Sequence, residues 1–231
     1  MTARETRRHT EILSELLGGL TGRHLADIGC GHGALARRLA ADGAEVIGLD
    51  PQETAVTAAM AADVDSGAHW AAAAGEALPL PDRALDDVLY FNALHHVPAA
   101  NLDAALQEAH RTLRPGGRLL AVEPIAEGPL FELTRVVEDE TAVRAAAEDA
   151  LARAHAGAGW RMAARREYSA PVKYATFQAF RDGLVKIDPA REATVAAQED
   201  WLRARFAELA READGACWLD QPTRATLLQR L

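Results

Sequence analysis

Cysteine is nearly absent: Cys30 and Cys217 are the only two in 231 residues. That implies no disulfide framework and no metal spacing, and a reducing, cytoplasmic compartment is the expected one. Long apolar runs are missing too, so no membrane span is predicted. The start, M-T-A-R-E-T-R-R-H-T, is basic, but no apolar stretch follows it as a signal peptide requires. Positive charge is in deficit, with 25 Lys and Arg against 34 Asp and Glu and a formal net charge of -9. An acidic surface argues against general nucleic-acid or anionic-membrane binding. There is no internal repeat, and the Ala-rich runs at 71–74 and 145–147 read as compositional bias. What is present is enough apolar sequence, 49% of residues, to bury a core. One domain over 1–231 is expected, with an N-terminal helix in 1–22, a core in 23–124, and sheet completion with helical insertions in 125–231.

Along the chain, helical and extended patterns alternate. Residues 4–20 read as an amphipathic helix with Ile12, Leu13, Leu16 and Leu17 at helical spacing, ended by Gly18, Gly19 and Gly22. Strands are predicted at the start of 24–33, at 45–50, at 69–73, at 87–92 and at 118–123. Helices are predicted at 34–42, at 53–63, and at 101–112 with Asn101 as N-cap. L-P-L-P-D at 78–82 must be a loop, and Arg114-Pro115-Gly116-Gly117 a turn. Strands alternating with helices indicate a doubly wound parallel α/β sheet with ligands at the strand C-termini. Each polar singularity falls at such an end: Asp27 to Gly33, Asp50, Asn92 to His96, and Glu123. Beyond Pro124 the pattern is helical over 129–155, with Leu130, Leu133, Val137, Ala147 and Leu151 on one stripe. A strand over 161–168 follows, then helices over 177–186 and 190–213, the latter with Val195, Trp201, Leu202, Phe206 and Leu209 as its apolar face. Gly215 ends that helix, and 223–230 is the last strand.

The stretch H-L-A-D-I-G-C-G-H-G at 24–33 organises the rest. A buried strand, a glycine-rich turn and a helix N-terminus together make a nucleotide site. Gly29-x-Gly31-x-x-Ala34, with Asp50 near the spacing of a ribose carboxylate, fits either a nicotinamide cofactor or S-adenosylmethionine. Asp27 favours the second: a carboxylate there repels a pyrophosphate but attracts a cofactor carrying an ammonium and a sulfonium.

Taken together, L-A-D-I-G-C-G-H-G (25–33), V-I-G-L-D-P (46–51), G-E-A-L-P-L-P-D (75–82), L-D-D-V-L-Y-F-N-A-L-H-H-V-P (85–98) and L-R-P-G-G-R-L-L-A-V-E-P (113–124) resemble the class I S-adenosylmethionine-dependent methyltransferases. The likeness is to the broad type-11, ubiquinone- and menaquinone-biosynthesis-like group, and it covers about half the chain. It implies a Rossmann-like, seven-stranded sheet with one antiparallel strand, plus helical cap elements from the N-terminus and the C-terminal half. It implies that Gly29, Cys30 and Gly31 lend backbone to the methionine end of the cofactor, with Asp27 near its ammonium. Asp50 would accept from the ribose hydroxyls, Pro51 lie against adenine, Glu76 and Ala77 line the adenine edge, and Asn92 and Ala93 close the site. One departure is Ala74, where family members often carry Asp.

The activity so implied is methyl transfer from S-adenosylmethionine to a small-molecule O, N or C nucleophile, leaving S-adenosylhomocysteine and using no metal. Such a displacement needs alignment, and needs a base only where the nucleophile carries a proton. His95 and His96, beside the expected methyl group, are the candidates for that base; packing is the competing role for each. Acceptor recognition is expected in the N-terminal helix and in 125–156 and 171–215. There Glu138, Asp139 and Glu140 form an acidic run, facing either a cationic acceptor or solvent. Tyr168 and Tyr174 are further candidates. A nicotinamide oxidoreductase, a methyltransferase-like binding protein and a non-methylating user of the sulfonium are the alternatives. The sequence is compatible with a monomer or a homodimer.

Overall fold

The computed structural model describes residues 4–63 and 65–231; the first three residues of the basic start lie outside them. In chain order the elements are α1 (His9–Leu17), β1 (His24–Ile28), α2 (Ala34–Ala41), β2 (Glu45–Asp50), α3 (Glu53–Ala61), β3 (His69–Ala72), β4 (Leu85–Phe91), α4 (Leu102–Thr112) and β5 (Leu113–Pro124). Then come α5 (Gly128–Thr134), α6 (Thr141–Ala156), β6 (Trp160–Tyr174), α7 (Phe177–Ile187), α8 (Glu192–Ala197), α9 (Glu199–Leu209), β7 (Arg211–Ala213) and β8 (Ala216–Arg230). Hydrogen bonding links the strands in the order β3-β2-β1-β4-β5-β8-β6, with β7 paired to β8 in addition. The fold is thus α/β and mixed, and the strand order reverses beside β1, as in doubly wound sheets.

The chain divides into two compact units. The larger comprises Thr10–Glu123, Val143–Arg166 and Arg224–Leu231; the smaller comprises residues up to His9, Pro124–Ala142 and Glu167–Thr223.

In the larger unit β1, β2, β3, β4 and β5 pair in parallel. The central strands read as continuous apolar runs because both faces are covered. Leu25 and Ala26 of β1, Val88, Leu89 and Tyr90 of β4, and Leu119, Leu120 and Val122 of β5 are fully buried. Register fixes the edge that matters: Ile28 lies opposite Leu49 on one side and Tyr90 on the other, so the residues after β1, β2 and β4 emerge together. At the opposite end Asp87 is fully buried and accepts from Arg23 Nε at 2.5 Å and Arg118 Nε at 2.7 Å. Arg118 also donates to the Leu17 carbonyl at 2.9 Å, satisfying the last turn of α1. Ala147, Ala150, Leu151 and Trp160 pack into this unit's core, from α6 and the start of β6.

The smaller unit has its own core of Leu130, Leu133, Phe180, Leu184, Val195, Leu202, Phe206 and Leu219. The stripe expected over 129–155 is therefore two helices, and its residues divide between the two cores.

The long helix expected at 190–213 is also broken. α8 ends at Ala197, α9 ends at Leu209, and 211–213 pairs antiparallel with 216–218. Asp214 and Gly215 both have positive φ, the two-residue hairpin that Asp-Gly favours. Trp201, placed on the apolar face of that helix, is 41% exposed, whereas Val195, Leu202 and Phe206 are buried. The turn expected at 114–117 is a bulge inside β5: Leu85 opposes Leu113, but Asp87 opposes Arg118. Among the described residues no helix is long and apolar enough to cross a membrane.

Candidate functional site

All twelve site residues expected from the sequence fall in the larger unit, at or just beyond the C-terminal ends of its parallel strands. After β1 the backbone turns sharply: the Gly29 and Cys30 N–H groups both donate to the Leu49 carbonyl, at 2.7 and 3.1 Å. Gly29 has φ 74°, and a Cβ there would stand 2.5 Å from that of Ala93. Glycine is required because this turn and the one after β4 touch. Gly31, at φ 53°, differs: a Cβ would meet nothing within 4 Å, so its backbone faces open space. Cys30 has its thiol pushed up to about 12 by burial and by Asp27 and Asp50. A thiol raised in this way has little thiolate character at neutral pH.

Two carboxylates flank the turn. Asp50 ends β2, with Oδ2 accepting from Gly31 N–H and Oδ1 from Gln52 N–H, both at 2.9 Å. Each oxygen keeps a second lone pair for a further donor. Pro51 follows and is exposed. Asp27 is 2% exposed and accepts from the Ala36 N–H in the first turn of α2, whose N-cap position is Gly33. Its Oδ2 has no partner. Burial and the neighbouring charge of Asp50 raise its pKa to about 7, against the opposing effect of the Ala36 bond.

Beyond β4, Asn92 takes φ 51°, its N–H donates to the Val122 carbonyl at 2.8 Å, and its Oδ1 is buried without a partner. Ala93 is buried, and Leu94–His96 form a 3-10 turn. Glu123, at the end of β5, organises that turn: Oε1 accepts from Ala93 N–H at 3.1 Å and Leu94 N–H at 2.9 Å, and Oε2 bonds His95 Nδ1. His95 is 4% exposed, whereas His96 is exposed, with the two rings 4.0 Å apart.

The segment after β3 is drawn in as well. Glu76 Oε1 accepts from Asn101 Nδ2 at 2.6 Å. Asn101 occupies the N-cap position of α4 but makes no capping bond, and its Nδ2 donates to Glu76. Ala77 N–H closes a turn onto the Ala74 carbonyl. The following L-P-L-P-D loop is held by Arg111, which donates to the carbonyls of Leu78 and Leu80 and to Asp82.

Sequence reasoning missed two residues as site members. Glu123 carried the available signal, a charge ending an apolar strand. Tyr90 carried none: it reads as an ordinary strand aromatic, yet its buried hydroxyl has no partner and would lie 3.0 Å from a Cβ on Gly75. Burial first, then Glu76, Glu108 and Glu123, raise its pKa above the usual phenol range.

In the smaller unit the expected acceptor-side residues are engaged with one another. Tyr168 Oη and His9 Nδ1 are 2.8 Å apart, and Tyr174 packs on Phe180 and Phe206. Glu138 of the acidic run pairs with Arg191, and Asp139 accepts from Thr141 N–H and Oγ1.

Chemically, the turn offers unpaired acceptors, Asp27 Oδ2 and Asn92 Oδ1, beside a second carboxylate and open backbone at Gly31. Such a site fits a ligand carrying positive charge and hydrogen-bond donors, and it repels a pyrophosphate. S-Adenosylmethionine carries an ammonium and a sulfonium, whereas a dinucleotide brings an anionic pyrophosphate.

Residues 26–121 match the family described as Methyltransferase domain. A curated relative, the 27-O-demethylrifamycin SV methyltransferase of Amycolatopsis mediterranei, is 39% identical over 119 residues, 49% of this chain and 43% of that protein. The ubiquinone/menaquinone biosynthesis C-methyltransferase UbiE of Rubrivivax gelatinosus is 34% identical over 105 residues, 44% of this chain and 39% of the relative. The chain thus spans less than half the length of these relatives. Two solved structures share the fold: an S-adenosylmethionine-dependent methyltransferase from Mesorhizobium loti, with TM-score 0.55, 19% identity and coverage of 95% and 96% of the two chains, and a SAM-dependent methyltransferase from Methanosarcina mazei, with TM-score 0.62, 16% identity and coverage of 97% and 99%.

Proposed function

We propose that the chain, whose residues 26–121 match a methyltransferase domain, is a class I, type-11 methyltransferase that binds S-adenosylmethionine at the turn after β1 and methylates a small-molecule acceptor. The observation that carries this reading is the unpartnered, buried Oδ2 of Asp27. A carboxylate taken out of water without a partner is unfavourable unless a ligand supplies the positive charge. The ammonium of the cofactor is that charge. The spare lone pairs of Asp50 accept the two ribose hydroxyls, and Asn92 Oδ1 takes a further donor.

The cofactor supplies an already activated methyl group. This chain's residues then have to hold the acceptor in line, exclude water and, for an oxygen acceptor, take a proton. His95 is the residue for that last task, because it is buried and held by Glu123. Relatives named for rifamycin and for ubiquinone or menaquinone favour a small organic acceptor. The setting that fits two free cysteines is the cytoplasm.

Calorimetric titration with S-adenosylhomocysteine tests the site. Wild type binds, and Asp50→Ala binds at least about 100-fold more weakly, since two charge-assisted bonds to the ligand are lost with the ordering of Gly31. Equal affinity in the two proteins refutes the assignment.

A further inference from the structure

The bonding around Glu123 points to a role beyond holding a loop. This inference rests on the methyl-transfer reading above. We propose that Glu123 is a positioning residue: it holds His95 in the tautomer with hydrogen on Nδ1, leaving Nε2 as the ring's proton acceptor.

The argument is one of donor and acceptor accounting. Ala93 and Leu94 stand at the cap and first position of a short 3-10 turn, where backbone N–H groups have no partner within the turn. Both donate to Oε1 of Glu123. Two donors on one oxygen leave Oε2 as the atom that meets the imidazole, and it meets Nδ1. An ionised carboxylate can only accept, so Nδ1 must carry the hydrogen. A neutral imidazole has one hydrogen on its two nitrogens, which leaves Nε2 bare. His95 is 4% exposed, so a choice of tautomer made by Glu123 is not averaged by contact with bulk water. His96, by contrast, is exposed.

Glu123 also ties this turn to the cofactor side. The Ala93 amide it holds belongs to the residue whose Cβ lies against Gly29, where an added Cβ would come within 2.5 Å. One carboxylate therefore sets both the direction of the imidazole and the residue that packs on the glycine turn. Held in this way, the ring is ready to accept a proton without reorienting.

The test is nitrogen NMR on full-length protein labelled at histidine nitrogen, with S-adenosylhomocysteine added, the His95 signals being assigned by their loss in His95→Gln. Wild type should show His95 protonated at Nδ1 and bare at Nε2. In Glu123→Gln the side-chain oxygen can keep the two backbone donors while its NH2 group turns to Nδ1, which then becomes the acceptor of that hydrogen bond. The protonated and bare positions should then exchange. A wild-type ring protonated at Nε2 overturns the proposal even where the variant does not fold. So does a folded Glu123→Gln that retains the Nδ1–H form. Failure of wild type to bind S-adenosylhomocysteine instead overturns the cofactor assignment, and the tautomer still reports on Glu123.

Discussion

The parallel core of β1, β4 and β5 carries buried carboxylates at both of its ends, held in opposite ways. At the end near α1, Asp87 is gripped by two guanidinium groups, and its neighbour Asp86 accepts from His24 N–H and from Arg114. Burial acts against the charge of Asp86, but the His24 N–H, Arg114 and Arg23 outweigh it and hold its pKa below the usual carboxylate range. At the other end Asp27 has one backbone donor and an empty oxygen, and its pKa is raised to about 7. One end satisfies its charges internally and so serves stability. The other leaves acceptors open, which is unfavourable in the unliganded protein and useful only to a ligand.

The largest effect expected of breaking this contrast is on the satisfied side. Asp87→Ala leaves Arg23 and Arg118 facing each other without their shared anion and should destabilise the fold by about 3–5 kcal/mol. Urea unfolding measures it, and a loss below about 1 kcal/mol would remove the distinction between the two ends.

Asp27→Asn should act in the opposite direction. The unfolded chain loses the Asp27 proton near its ordinary value of 3.8, whereas the folded protein keeps it until about 7. The stabilisation is therefore complete below the lower value and is lost as pH rises through the upper one. A difference of that size corresponds to roughly 4 kcal/mol, and a buried amide donor without a partner takes back about 1–3 kcal/mol. The variant should thus be more stable than wild type at pH 8 by about 1–3 kcal/mol, less stable at pH 4 by about 1–2 kcal/mol because the amide penalty remains after the charge penalty has gone, and bind S-adenosylhomocysteine about 10-fold or more weakly. Chemical denaturation at the two pH values, together with calorimetry, checks both halves. A variant less stable than wild type at pH 8 would place Asp27 with Asp87 as a structural carboxylate.

The smallest effect is expected at Arg114, whose ion pair with Asp86 is half exposed. Arg114→Ala should change stability by less than about 1 kcal/mol and leave cofactor binding untouched. A larger loss would mean that the satisfied end acts as one network reaching into solvent.

Much of the larger unit could be read from the chain, because its signals are local. β1, α2 and β2 fall where the run from His24 to Asp50 predicts them, each bounded by a glycine or a strand-ending charge. The second half is less legible. Gly215 reads in the sequence as a helix stop, yet with Asp214 it makes a hairpin turn, since positive φ at both residues matters only once β7 finds β8. The 129–155 stripe divides between two cores because helical period alone does not say which partner a face will meet.

The sequence by itself determined the alternation of strands and helices, the glycine turn, and the carboxylates at 27 and 50, for these follow from residue type and short spacing. Only the tertiary structure decided which buried charges are satisfied. The partners are distant in the chain: Arg23 and Asp87 lie 64 residues apart, Glu76 and Asn101 lie 25 apart, and His95 and Glu123 lie 28 apart. Whether a carboxylate is a strut or an open acceptor depends on what folding brings within about 3 Å of it, and composition and periodicity do not encode that distance.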